Sequence, residues 1–186
     1  CEKLMYALVL SGLAMQMTGN SRPASGAEHH LVHLWDMEVV NGHLDALHGE
    51  KVSAGTMLVL LEYKKIADAI RKGNCKVHTC TEEDRELLQS TFGKKGILGA
   101  IEKQNTPELL DDVSTKELSD TLPGILKIID ALPAVTDMQE MMNTAGCVSR
   151  VRDIGLPGEV IEESLRLAPY TRRRLSLLRL RKMLTY

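Results

Sequence analysis

Aromatic side chains are scarce in this chain, at 3% of 186 residues with a single Trp and a single Phe. Leu, Ile, Val, Met and Ala must therefore fill the interior, and these favour an α-helical core. The same scarcity removes the stacking groups on which single-stranded nucleic acids are held. A net charge of −2 supplies no bulk field to attract a polyanion. No apolar run reaches the ~18 residues of a membrane span, and no signal peptide is legible. The four cysteines, Cys1, Cys75, Cys80 and Cys147, lack the spacing of a disulfide-stapled domain, so a reducing cytoplasm is expected. CKVHTC is not a C-x2-C pair and has no second pair nearby, so Cys75, His78 and Cys80 read as a loop with incidental thiols. There is no G-x-G-x-x-G and no strand–turn–helix opening to host one. FGKKGILG lacks the G-K-[ST] ending of a phosphate loop.

What remains is enough for a globular core. Hydrophobic residues make up 44% of the chain, and the length suits one domain, 1–186. The pattern predicts an all-α domain of eight or nine helices. Residues 2 to 17 are apolar nearly all round, which predicts a buried helix, stopped by Gly19 and Asn20. A second helix is predicted over Ala27 to Val39, with Trp35 in the core, and a third over 56 to 72. Thr81-Glu82-Glu83-Asp84 resembles a capping box opening a helix to about Thr91. Ser114 to Ala131 reads as an amphipathic helix interrupted by Pro123, and Asp137 to Ala145 as a short Met-rich one. Pro157 suits the first turn leading GEVIEESLRLA. A last helix, 171 to 184, carries Arg172, Arg173, Arg174, Arg179, Arg181 and Lys182, predicted to form a solvated or docking face.

Five of the six histidines fall between residues 20 and 55. His29 and His33 are four apart, so on a helix both imidazoles project from one face. Glu28 lies in the first turn, where the helix terminus favours a carboxylate. It precedes the pair instead of lying within it, which excludes the H-E-x-x-H metalloprotease pattern. A chain turning back over Asn41 to Asp45 brings His48 opposite, and converging neutral imidazoles suit a borderline divalent metal such as zinc. A histidine on a half-buried helix is more often simply hydrogen-bonded. From the residues alone, a metal or catalytic site and a set of structural histidines stand as alternatives. His30 lies about 100° round from His29, so His30 and His43 read as bystanders. In the entry loop, Ser21, Arg22 and Ser25 can donate to a phosphate ahead of a helix N-terminus. The alternative is that Arg22 caps the helix or pairs with Glu28. Glu50, two residues past His48, is a candidate to fix an imidazole tautomer.

The segment GLAMQMTGNSRPASGAEHHLVHLWDM, then ALHGEKVSAGT and the closing LAPYTRRRLSLLRLRKML, closely resembles the glycerol-1-phosphate dehydrogenases, including the bacterial AraM-like branch. These belong to the iron-alcohol-dehydrogenase and dehydroquinate-synthase superfamily. The resemblance implies that His29 and His48 bind the metal, zinc or nickel, and that His33 contacts substrate and relays a proton. It also implies a two-domain enzyme whose first half supplies a Gly-rich turn for NAD(P) and an aspartate as third ligand. Neither is in this sequence, so the chain reads as the C-terminal, metal- and substrate-binding half, inactive alone, with no cofactor-binding residues of its own. The implied reaction interconverts dihydroxyacetone phosphate and sn-glycerol 1-phosphate in the cytoplasm, and a homodimer is compatible with it. A glycerol dehydrogenase or dehydroquinate-synthase-like enzyme of the same superfamily is the near alternative. A non-catalytic helical interaction module is the distant one.

Overall fold

The computed structural model describes residues 1–80 and 84–186. Its helices are α1 (Glu2–Thr18), α2 (Ala27–Asp36), α3 (His48–Arg71), α4 (Arg85–Phe92), α5 (Leu98–Asn105), α6 (Thr115–Asp130), α7 (Val135–Thr144), α8 (Ile161–Leu167) and α9 (Leu177–Leu180). Two short strands, β1 (Lys76–Val77) and β2 (Leu184–Thr185), pair antiparallel. Among the described residues 68% are helical and this small sheet is the only one, so the all-α expectation holds.

The longest helix, α3, is the hub. Its apolar stripe buries Ala54, Met57, Leu58, Val59, Leu60, Ile66 and Ala67. The N-terminal part packs on α2, and the C-terminal part meets α6. Two apolar clusters follow from this. One gathers Leu31, Leu34, Trp35, Leu58, Phe92, Leu165 and Leu167; the other gathers Ile66, Leu110, Leu118, Leu122, Met183 and Leu184. Trp35 is a core residue as expected, 1% exposed, and its indole N–H donates to Ser164 Oγ at 3.0 Å.

Several expectations need correction. Helix α1 forms but buries none of its residues. A run that is apolar all round needs protein on every side, and these 186 residues supply almost none. Helix α2 stops at Asp36, and Glu38 then takes a positive φ of 51°. Helix α3 begins eight residues early, at His48, because Glu50 Oε2 accepts from the Leu47 N–H at 2.7 Å and caps the entrance. Helix α6 runs straight through Pro123; burial of Leu118, Leu122 and Ile129 outweighs the one ladder bond that proline forfeits. The capping box at residues 81–84 lies partly outside the described residues.

The arginine-rich end is not one helix. Arg172 to Ser176 crosses the surface between a 3-10 turn over Ala168–Thr171 and the short α9, with extended backbone at both of its ends. It is solvated only in part, at Arg172 and Arg173. Arg179 is 1% exposed and donates to Glu108 at 2.7 Å, while Arg181 bridges Glu62 and Glu162, each at 2.6 Å. Specific acceptors for these guanidinium groups override the helical pattern that the local sequence suggests.

Candidate functional site

Helix α2 reaches α3 at very close range. A Cβ at Gly55 would stand 3.2 Å from the Glu28 carbonyl oxygen, so glycine lets the two backbones meet there without a shift of a few tenths of an ångström. This contact fixes the first turn of α2 against the N-terminal half of α3 and brings His29 and His48 together. Their ring centroids are 5.7 Å apart with planes at 56°. Two imidazoles that share a tetrahedral zinc at roughly 2 Å per Zn–N bond have ring centres about 5 Å apart. The pair is within about 1 Å of that, so these residues fit a shared divalent ion. Among the described residues no group of three His, Cys, Asp or Glu side chains completes a cage.

A carboxylate orients the ring of His29, and a second stands near that of His48. Glu28 Oε1 lies 2.8 Å from His29 Nδ1 and accepts the Gly26 N–H at 2.7 Å. Burial pushes the Glu28 carboxyl up, but the bonds from His29 and the backbone outweigh it and hold the group below its ordinary value. An ionised Glu28 fixes the proton of His29 on Nδ1 and leaves the Nε2 lone pair free for a metal. Asp36 Oδ2 stands 3.9 Å from His48 Nδ1, at ion-pair rather than hydrogen-bond range, and Lys51 steadies its other oxygen at 2.8 Å. Glu50, expected to orient an imidazole, instead caps α3, and Glu28 holds the ring of His29.

His33 lies one turn beyond His29 on α2. Arg172 Nη2 approaches its Nε2 at 3.2 Å. A guanidinium can only donate, so Nε2 accepts and the ring is neutral with its proton on Nδ1. Burial first, then the Arg172 charge, holds His33 below its ordinary pKa. Arg172 has no signal in the local pattern of the sequence, being 139 residues from His33.

The entry loop is tied down from the same C-terminal segment. Arg174 donates from Nη1 to the Ser25 carbonyl at 2.7 Å and from Nη2 to Ser21 Oγ at 3.0 Å. Arg22 sits in a 3-10 turn, Arg22–Ala24, and its side chain makes no ion pair with Glu28, which is taken up by His29 and Gly26. Arg22 and Ser25 instead wall a cavity that also touches His30. His43 is an exposed partner of Glu38 at 2.9 Å, clear of the pair. His30 turns into the protein and is 1% exposed. Burial, then Arg174 and Arg179, lowers its pKa to about 4.

Comparison with known proteins bears on this geometry. The chain is 34% identical over 176 residues to a protein of Halalkalibacterium halodurans named glycerol-1-phosphate dehydrogenase, NAD(P)+; the match covers 94% of this chain and 36% of that protein. Over most of its length the chain is similar to the glycerol-1-phosphate dehydrogenases. A protein of the same name from Geobacillus stearothermophilus is 28% identical over 166 residues, covering 89% of this chain and 34% of its own length. A glycerol-1-phosphate dehydrogenase of Pyrococcus horikoshii is 42% identical over 74 residues, covering 38% of this chain and 20% of its own. The chain thus spans about a third of the length of the first two of these relatives. No family model and no solved structure matches it.

Proposed function

We propose that this chain is the metal- and substrate-binding half of an NAD(P)-linked sn-glycerol-1-phosphate dehydrogenase. The observation that carries the reading is the His29–His48 pair, 5.7 Å apart between two helices, with Glu28 fixing the His29 tautomer. A bound zinc or nickel ion would supply Lewis acidity toward the carbonyl oxygen of dihydroxyacetone phosphate. His29 and His48 would hold that ion, with a third ligand from a nucleotide-binding domain. His33, neutral and steadied by Arg172 at Nε2, keeps its proton on Nδ1, where it can hydrogen-bond a substrate oxygen and serve as relay. Ser21, Arg22 and Ser25 would receive the phosphate. A hydride donor lies outside this chain's residues, so the 186-residue chain alone is expected not to turn over. The exposed apolar surface of α1, with Leu4, Tyr6, Leu8 and Met17 all more than half exposed, supports a further protein surface packed there.

Calorimetric titration of zinc into the chain tests the core of this reading. Two imidazoles without a third ligand should bind weakly, and His29→Ala or His48→Ala should abolish the heat. Submicromolar binding that ignores both substitutions would overturn the assignment. In an intact enzyme, NADH oxidation with dihydroxyacetone phosphate but not with dihydroxyacetone separates the phosphorylated substrate from that of a glycerol dehydrogenase.

A further inference from the structure

Asp36 and Lys51 are both placed against the grain of their helices. Asp36 is the last residue of α2, and Lys51 lies near the start of α3. A helix dipole disfavours a carboxylate at its C-terminal end and a cation at its N-terminal end. Their mutual bond, Lys51 Nζ to Asp36 Oδ1 at 2.8 Å, offsets this. The Lys51 side chain is mostly buried along its stem, so the clamp on that oxygen is a fixed one. The other oxygen is not spent on it. Asp36 Oδ2 faces the ring of His48, 3.9 Å from Nδ1.

That separation is about 1 Å beyond a hydrogen bond. The His48 side chain is more than half exposed, so its ring has room to turn. Lys51 is three residues after His48 on α3, and side chains at that spacing are neighbours on one helix face. The helix that carries the imidazole thus also carries the clamp on its carboxylate. A neutral imidazole that donates Nδ1–H to a carboxylate keeps its lone pair on Nε2. Glu28 already imposes this arrangement on His29 at 2.8 Å.

We propose that Asp36, clamped by Lys51, is a positioning residue for His48: it takes the Nδ1 proton and leaves Nε2 for a divalent ion. This role rests on the proposed reading of His29 and His48 as metal ligands. Each imidazole then has its own carboxylate, Glu28 from the first turn of α2 and Asp36 from its last. Such partners fix the tautomer and orientation of a ligating ring and raise its basicity. A tie that served only to join α2 to α3 would be complete with the Lys51 bond and would make no use of Oδ2.

Long-range nitrogen–proton NMR of the 186-residue chain without metal reads the tautomer directly, with the His48 signals assigned by their loss in His48→Ala. The parent should carry the His48 proton mainly on Nδ1. Asp36→Ala should move it toward Nε2, and Asp36→Asn, which keeps an acceptor without the charge, should retain part of the bias. In calorimetry with zinc alone, Asp36→Ala should weaken binding by about tenfold, the lower end for loss of a group that orients a ligand. Lys51→Met should weaken it less, because the carboxylate remains. A lower melting temperature in the Asp36 and Lys51 variants, with tautomer and zinc affinity both unmoved, would mean a purely structural tie and would overturn the proposal. So would a parent chain whose His48 proton sits on Nε2. Zinc binding that needs His48 but ignores Asp36 would overturn it too, while leaving the metal reading in place. An Asp36-dependent tautomer in a chain that binds no zinc would support the placing of the proton by Asp36 and count against the metal reading instead.

Discussion

Glu28 does at residue scale what the sequence suggests for other groups. Its place beside His29 reads as a helix-dipole preference, and Glu50 looks the better partner for an imidazole. The structure reverses this because side-chain reach decides. Glu50 folds back on its own helix entrance, whereas Glu28 bonds the neighbouring ring at 2.8 Å. Glu28→Ala should therefore lower zinc affinity by about 10- to 100-fold, the usual cost of losing a group that orients a ligand; calorimetry of the variant would read it. Glu62 offers a second test away from the site. Burial pushes its carboxyl up, but the bond from Tyr186 and the charges of Arg181 and Lys65 outweigh that and hold it below its ordinary value. A group depressed in the folded state stabilises above its unfolded pKa, and that contribution is lost as pH falls through the window below about 4.5. Glu62→Gln should be less stable than the parent at neutral pH and should lose less on acidification. Denaturant midpoints at pH 7 and pH 4 would show it, and parallel pH slopes would refute the assignment.

The α2–α3 contact is the site's foundation at the scale of elements. Ala is favoured over Gly within a helix by about 1 kcal/mol, but a Cβ at residue 55 would press on the Glu28 carbonyl at 3.2 Å. Gly55→Ala should thus gain propensity and lose packing, with a net destabilisation of up to about 2 kcal/mol as overpacking offsets propensity. It should also weaken zinc binding by spreading His29 from His48, which thermal unfolding and titration would detect together. Much of this layer was legible. The i, i+4 spacing put His29 and His33 on one face, and the short polar connection implied that His48 turns back toward them. The arginine-rich end was not. Arg172, Arg174 and Arg179 find His33, Ser25 and Glu108 across 71 to 149 positions of sequence, and no local periodicity encodes such pairings. Pro123 misled for a related reason, since a local breaker yields where tertiary burial supports the helix on both sides of it.

Taken whole, the molecule is unevenly packed. Its two apolar clusters are closed by α3 and the C-terminal segment, yet α1 stands outside both. Met17 is 87% exposed and Tyr6 66%. A helix apolar on all faces gains its stability from whatever covers it, so α1 should contribute little to folding of this chain and much to association. Leu4→Gln combined with Leu8→Gln should leave the stability of the isolated chain within about 0.5 kcal/mol, as for substitutions far from any packed feature. The same pair should reduce self-association at high concentration, measured by sedimentation. It should also weaken docking of a nucleotide-binding domain supplied as a separate polypeptide, because each leucine withheld from such an interface forfeits about 1.5–3 kcal/mol of burial. A large loss of stability in the isolated chain would mean that α1 packs onto the body in solution, and a change confined to association would place it at an interface.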